Sequence, residues 1–379
     1  MGQFEKSERR YEEKDLVRIA GRENNKKRPY LVVNPLQGKH VPVAPSGAFT
    51  LFEALAEEVK RRFPGERLFL IGFAETATAI GAAVAASCHA PYMQTTREQA
   101  GNGEYLFFSE EHSHATEQRL VKEALEAGMR GADRLVFVED ELTTGRTIRN
   151  LAAVLRKTYP LQAFRFGAAS LLNGMSAEAT EECRAEGIAF CFLVKSDHAE
   201  YEKRALSYKG DGMRHPVSEF TGFEAYEEMR LSGAQDPRCL VAGEAYRDAC
   251  KKLWERIERR FSVPRGSRIL VLGTEECMYP ALTAGYLWER AGCEVLCHAT
   301  TRSPILPGRE ADSPLHVRYE LESFYEKGRV TYIYELGAYD RVFVITDAKS
   351  GELRGERTLV SALWQAGNRQ ITIVRWQKE

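Results

Sequence analysis

Three short stretches occur twice in this 379-residue chain, in the same order and about 200 residues apart. Arg67-Leu-Phe-Leu-Ile-Gly72 is echoed by Arg268-Ile-Leu-Val-Leu-Gly273, and Thr95-Thr-Arg97 by Thr300-Thr-Arg302. The third pair is Asp133-Arg-Leu-Val-Phe-Val-Glu-Asp140 and Asp340-Arg-Val-Phe-Val-Ile-Thr-Asp347. Buried strands converge on Val, Ile and Leu for packing reasons alone, so the apolar runs by themselves say little. The second Thr-Thr-Arg does not follow from packing, and together with the kept order it predicts a duplicated unit.

Strand and helix patterns alternate in the first half. Short β-rich runs fall at residues 68–71, 135–138, 164–169 and 189–194, with helical segments at 117–127 and 148–157 between them. A capping box of Thr50 and Glu53 is expected to open a helix with Leu51, Leu55, Val59 and Phe63 on one face, stopped by Pro64-Gly65. Such alternation argues for an α/β fold with a parallel sheet. Residues 195–240 are rich in charge, Gly and Pro, and an amphipathic helix at 241–261 then leads to a strand at 268–272. The reading is a flexible arm over 1–27, a first α/β domain over 28–215 and a second over 216–379, both parallel-sheet and Rossmann-like.

A formal net charge of −1 gives no bulk attraction to nucleic acid or anionic lipid. No apolar run reaches the roughly 20 residues that span a bilayer, and the first fifteen residues are too charged for a signal peptide, so no membrane and a cytoplasmic location are expected. The cysteines form no Cys-x-x-Cys pair, and Cys293, Cys297 and His298 lack a second ligand pair at zinc spacing.

The strongest local signal is Val136-Phe-Val-Glu-Asp-Glu-Leu-Thr-Thr-Gly-Arg-Thr147. Ligands of open parallel sheets bind outside the carboxyl ends of the strands, so Glu139 and Asp140 would emerge where a sugar can dock, their carboxylates accepting ribose hydroxyls. Thr143, Thr144, Gly145, Arg146 and Thr147 would then bring hydroxyls and backbone N–H groups to a helix N-terminus, a setting that favours a phosphate dianion. Gly145 allows close backbone approach. A capped helix after a buried strand would explain the threonines, but not the adjacent acids.

This segment resembles the phosphoribosyl diphosphate (PRPP) signature of type I phosphoribosyltransferases. The resemblance implies that fold for the first domain, a degenerate repeat of it for the second, and Mg²⁺ held at Glu139 and Asp140, indirectly through ribose hydroxyls or water. It implies that Gly72-Phe-Ala-Glu-Thr-Ala77 is the pyrophosphate loop, with Gly72, Phe73 and Ala74 binding the substrate, and that a mobile catalytic loop begins at Tyr92. Arg97 lies there, and a guanidinium suits a leaving diphosphate. Beyond it Glu110, Glu111, His112 and His114 crowd within five residues, where metal ligation, proton transfer or substrate contact would each suit them. These five form the candidate catalytic set. Threonine at 143, where purine-type members carry aspartate, makes the expected acceptor a small non-purine heterocycle.

In the second half Gly273-Thr-Glu-Glu-Cys-Met-Tyr-Pro280 and Thr301-Arg-Ser-Pro304 resemble the TRSP domain found fused to phosphoribosyltransferases of bacterial tellurite-resistance stress clusters. Lys39-His40 resembles the first half of such proteins. Glu275, Glu276, Thr301, Arg302, Ser303 and Asp347 would line a second pocket if the duplication is real. The Thr-rich cradle is missing there. The expected activity is phosphoribosyl transfer from PRPP with diphosphate release, and the alternatives are a PRPP- or nucleotide-binding regulator without turnover, or the reverse cleavage. A homodimer, or a pseudo-dimer of the two halves, is the expected assembly.

Overall fold

The strand Arg134–Leu142 carries both the acid pair and the chain's longest described run of extended backbone, and the elements around it set where those acids emerge. The computed structural model describes residues 10–23, 25, 28–108, 118–219, 226–349 and 354–378. They fall into two compact units. The first contains residues 49–197 and 236–247 with those before 14, and the second contains 14–48, 198–235 and the chain from 248 onward.

In the first unit the strands are β1 (Leu68–Gly72), β2 (Pro91–Gln94), β3 (Tyr105–Phe108), β4 (Gln118–Val121), β5 (Arg134–Leu142), β6 (Phe166–Asn173) and β7 (Ile188–Lys195). The sheet runs from the short Val241–Ala242 through β2, β1, β5 and β6 to β7. All pairs are parallel except Val241–Ala242 on β2. β3 and β4 form a separate antiparallel hairpin between β2 and β5. Because the chain goes from β1 to one side and later returns on the other as β5, the loops leaving those two strands border a topological switch point.

The helices that border the site are α1 (Thr78–Ser87), α2 (Lys122–Met129) and α3 (Arg146–Thr158). α3 buries Ile148, Leu151, Ala152 and Leu155, the i, i+3, i+4, i+7 stripe of an amphipathic helix. They join a core with Phe69, Phe137 and Phe166, the last two stacked with centroids 5.5 Å apart. Each large apolar side chain so buried contributes about 1.5–3 kcal/mol, which anchors the loop at the start of α3.

The second unit has β8 (Arg268–Gly273), β9 (Glu294–Ala299), β10 (Val317–Glu322), β11 (Val330–Tyr334), β12 (Arg341–Thr346) and β13 (Ile371–Trp376), with helices α4 (Tyr279–Arg290) and α5 (Gly355–Gln365). Its sheet, entirely parallel, runs Glu227–Leu231, β13, β12, β8, β9. Here too the first strand has the second on one side and the third on the other, and an antiparallel hairpin, β10–β11, lies between second and third in sequence. Met213–His215 extends that hairpin.

Several expectations are corrected. Within the supposed arm, Arg18–Gly21 is a strand paired antiparallel with Tyr30–Val33, and residues 14–48 belong to the second unit rather than the first. Four-residue strands flanked by charge carry too little periodicity to be seen. The first long helix begins at Pro45, which puts Thr50 and Glu53 in its interior rather than at its cap. Residues 118–121 are strand, and the helix expected over 117–127 starts at Lys122.

In the second unit the segment after Tyr30–Val33 lies along β9, with Val43 and Cys297 exchanging backbone hydrogen bonds of 3.0 and 2.8 Å. Lys39, His40 and His298 are all buried. Neither ring nitrogen of His298 has a hydrogen-bond partner among the described residues. Burial above all, then the neighbouring His40 and Lys39, pushes its pKa down to about 3. A histidine held neutral in the fold supports stability above its unfolded pKa of about 6.5, and that support is lost as pH falls from there toward 3. Acid denaturation should therefore steepen by up to about 1.4 kcal/mol per pH unit in this window, and His298→Met should remove that component. Urea titrations of both proteins between pH 7 and pH 4 measure the difference; parallel curves would refute it.

Candidate active site

β5 ends in Glu139, Asp140, Glu141 and Leu142, where burial gives way to partial exposure until Leu142 turns inward. Glu139 pairs with Ser170 of β6. Asp140 accepts a 2.8 Å hydrogen bond at Oδ1 from the hydroxyl of Thr76, which ties the loop after β1 to the acid pair across the switch point.

Thr143 and Thr144 are half-buried, and Gly145 caps α3 at φ +73° in the left-handed region. The requirement for glycine is double, since a Cβ there would lie 2.7 Å from Cys183 Sγ and 3.0 Å from Met175 Sδ. Those sulfurs pack under the turn, and burial raises the Cys183 thiol pKa. Met175 is fixed in turn by Lys195, whose ammonium donates to its carbonyl at 2.5 Å. Arg146 N–H donates to Thr144 Oγ1 at 3.3 Å. Arg146 is exposed and Thr147 half-buried in the first turn of α3, where N–H groups lack intrahelical acceptors and the helix dipole is positive.

The loop after β1 is held from several sides. Gly72 has no room for a Cβ, which would lie 2.5 Å from the Tyr92 hydroxyl. Phe73 is a core residue, edge-on to Phe108 and Phe137. Its N–H donates to Val138 O and its carbonyl accepts from Ala77 N–H, both at 3.0 Å. The Phe73 ring thus packs in the core beneath the loop. Ala74 donates its N–H to Thr95 Oγ1 at 2.8 Å and accepts at its carbonyl from Gln118 Nε2 at 2.5 Å. The Ala74–Glu75 peptide is cis. Arg97 lies on the segment after β2, where its carbonyl accepts from Arg119 Nη2 at 2.5 Å, and Thr96 and Arg119 exchange backbone hydrogen bonds of 3.0 and 3.1 Å. Glu110, Glu111, His112 and His114 lie outside the described residues.

The structure therefore brings Asp140 to the loop after β1 and sets the threonine-glycine turn at the start of α3. Thr76 lies in the loop expected to hold pyrophosphate, whereas Thr95 and Gln118 carry no such expectation from sequence; the repeated Thr-Thr-Arg is the signal for Thr95.

In the second unit the residues expected to line a second pocket include a group of paired buried charges. Glu275 and Glu276 are buried, and Glu275 sits at φ +46°. Arg302 reaches Glu276 at 3.0 Å and Glu275 at 3.5 Å, while Arg329 reaches Glu275 at 3.1 Å. Ser323 donates to Glu275 at 2.6 Å and Tyr325 to Asp347 at 2.5 Å. Thr301 Oγ1 accepts from Ser303 N–H at 3.2 Å, and Ser303 O accepts from the Tyr334 hydroxyl at 2.6 Å. Tyr325 and Ser323, on the turn between β10 and β11, lie over the ends of β8 and β12. Glu275 and Glu276 thus pair with guanidiniums, while Asp347 is met by a phenol.

Replacing Gly145 should damage the turn before it damages the fold. Gly145→Ala forces both a left-handed alanine and a shift of Cys183 or Met175, a combined cost of about 1–3 kcal/mol. A fall in thermal midpoint, with far-ultraviolet circular dichroism retained at about 20 °C, is the expected result; an unchanged midpoint would refute the packing argument.

Comparison with known proteins places these features in context. Residues 16–190 match the family described as "Phosphoribosyl transferase", and residues 242–363 match that described as "TRSP domain C terminus to PRTase_2". Among solved structures, the adenine phosphoribosyltransferase of Rhodothermus marinus is 14% identical, with 48% of this chain and 96% of that one covered and a TM-score of 0.34. The adenine enzyme of Leishmania tarentolae is 16% identical over 50% and 88%, with a TM-score of 0.36. The orotate phosphoribosyltransferase of Aeropyrum pernix is 17% identical over 48% and 88%, with a TM-score of 0.32. Among curated proteins no sequence match is found. The chain thus carries a phosphoribosyl transferase domain followed by a TRSP domain.

Proposed function

We propose that the first unit binds PRPP and transfers its 5-phosphoribosyl group to a small heterocycle, with release of diphosphate. The observation that carries this reading is the junction of an acid pair at the end of β5, a threonine-glycine turn opening α3, and a loop from β1 bonded to Asp140 through Thr76.

Each part then has a task. Glu139 and Asp140 accept the ribose hydroxyls. Thr143, Thr144, Gly145, Arg146 and Thr147 hold the 5′-phosphate at the positive end of α3. The loop from Gly72 and the Arg97 segment face the diphosphate. The C1–O bond to diphosphate breaks, its electron pair leaves with that group, and a ring nitrogen of the acceptor bonds to C1 and gives up its proton to solvent. Positioning and electrostatic complementarity supply most of the rate.

Carboxylates and hydroxyls are hard oxygen donors and fit Mg²⁺. Among the described residues no group of three or more His, Cys, Asp or Glu side chains converges to hold an ion unaided. Bound there, it would neutralise the departing diphosphate. Glu139 and Asp140 would hold it through ribose hydroxyls or water. Threonine at 143 favours a non-purine acceptor. No described helix is long and apolar enough to cross a membrane.

The second unit reads as a degenerate copy. Equivalent bonds support this: Arg67 N–H donates to Asp133 and Arg268 N–H to Asp340, each at 2.8 Å. Glu275 and Glu276 there are paired with Arg302 and Arg329, and Asp347 is bonded to Tyr325, so one PRPP per chain is expected.

Calorimetry with PRPP and magnesium should show one site. Asp140→Ala should abolish diphosphate release while the protein remains folded. A panel of bases including orotate and adenine, read by mass spectrometry, identifies the acceptor. Unchanged turnover in Asp140→Ala would overturn the assignment, and binding without turnover for any base would favour the regulatory alternative.

A further inference from the structure

We propose that Thr95 and Gln118 act as positioning residues, a two-point clamp on Ala74 that sets the loop after β1 for the diphosphate end of the substrate. The proposal rests on the PRPP reading above. Both side chains are 0% exposed. One accepts the Ala74 N–H at 2.8 Å and the other donates to the Ala74 carbonyl at 2.5 Å, so the residue is gripped on both of its backbone polar groups. Two residues on, Thr76 bonds to Asp140. The clamp therefore orients both the loop and the carboxylate it touches.

The second unit argues that the grip is required rather than incidental. There Glu275 N–H donates to Thr300 Oγ1 at 3.0 Å, and the Glu275 carbonyl accepts from Lys39 Nζ at 2.9 Å. Thr300 is the first residue of the repeated Thr-Thr-Arg, as Thr95 is of the first. The carbonyl's donor, however, is a carboxamide from the neighbouring hairpin in one unit and an ammonium from 236 residues away in the other. Two unrelated side chains supply one hydrogen bond at matching places because a buried carbonyl left unpaired is costly. Gln118 also begins β4, which Arg119 fastens to Thr96, so the hairpin and the loop after β1 are mechanically joined.

Thr95→Val removes the hydroxyl at nearly constant volume, and Thr95→Ser restores it. Hydrogen exchange at residues 73–77, read by mass spectrometry, reports the clamp directly, and calorimetry with PRPP and magnesium reports its consequence. We expect Thr95→Val to speed exchange at Ala74 and weaken PRPP binding about tenfold, with Thr95→Ser close to the unaltered protein in both. Gln118→Met should weaken binding similarly. Faster exchange with unchanged affinity, or equal losses in Thr95→Ser and Thr95→Val, would overturn the clamp while leaving the PRPP reading intact. Failure of the unaltered protein to bind PRPP would instead overturn the functional reading, and the role given to the clamp with it.

Discussion

A parallel strand that ends inside a protein leaves backbone amides and carbonyls without ladder partners, and such groups are seldom buried unpaired. In both units this constraint falls on the residue two beyond the glycine that ends the first strand. In both it is met by a threonine at the end of the adjacent strand and a donor from another segment. Much else follows from that pairing. The loop leaves the sheet in one direction, and in the first unit its Thr76 meets the acid at the end of β5.

The elements most legible in sequence were those with continuous apolar runs. The strand expected over 135–138 is present but continues to Leu142, because its last residues are polar and the hydrophobic pattern stops before the ladder does. The acid pair and threonine-glycine turn were legible because each residue type is demanded by backbone geometry or charge. Gly145 is the clearest instance, with a positive φ and two sulfurs filling the space where a side chain would go. Partners far apart in sequence were not legible. Nothing in Gly-Lys-His suggests an ammonium bonded to the carbonyls of Glu275 and Thr300, and nothing in Gln118 marks it as a donor to Ala74. The Thr-Thr-Arg repeat signalled a shared structural need, and the hydrogen bonds supply its physical content.

The second unit sets different chemistry at the ends of a similarly ordered parallel sheet. Asp140 in the first unit meets a threonine hydroxyl, whereas Asp347 after β12 is met by Tyr325, and the loop after β8 holds two carboxylates bound by guanidiniums. Buried ion pairs are poor sources of net stability, since desolvation offsets their attraction. Their value is directional: removing one partner strands the other, so the arrangement is hard to rearrange piecemeal.

The placement of residues 14–48 bears on how this chain can be divided. The phosphoribosyl transferase match begins at residue 16, yet these residues pack in the second unit, where Lys39 is buried against the ends of β8 and β9. A gene split between the two family matches would leave the amino-terminal fragment with an orphaned lysine and an unpaired segment. The carboxyl-terminal fragment would lose one side of its core. Expressed apart, the halves should seek each other or aggregate, and a circularly permuted chain that carries residues 14–48 beside the second unit is the more natural dissection.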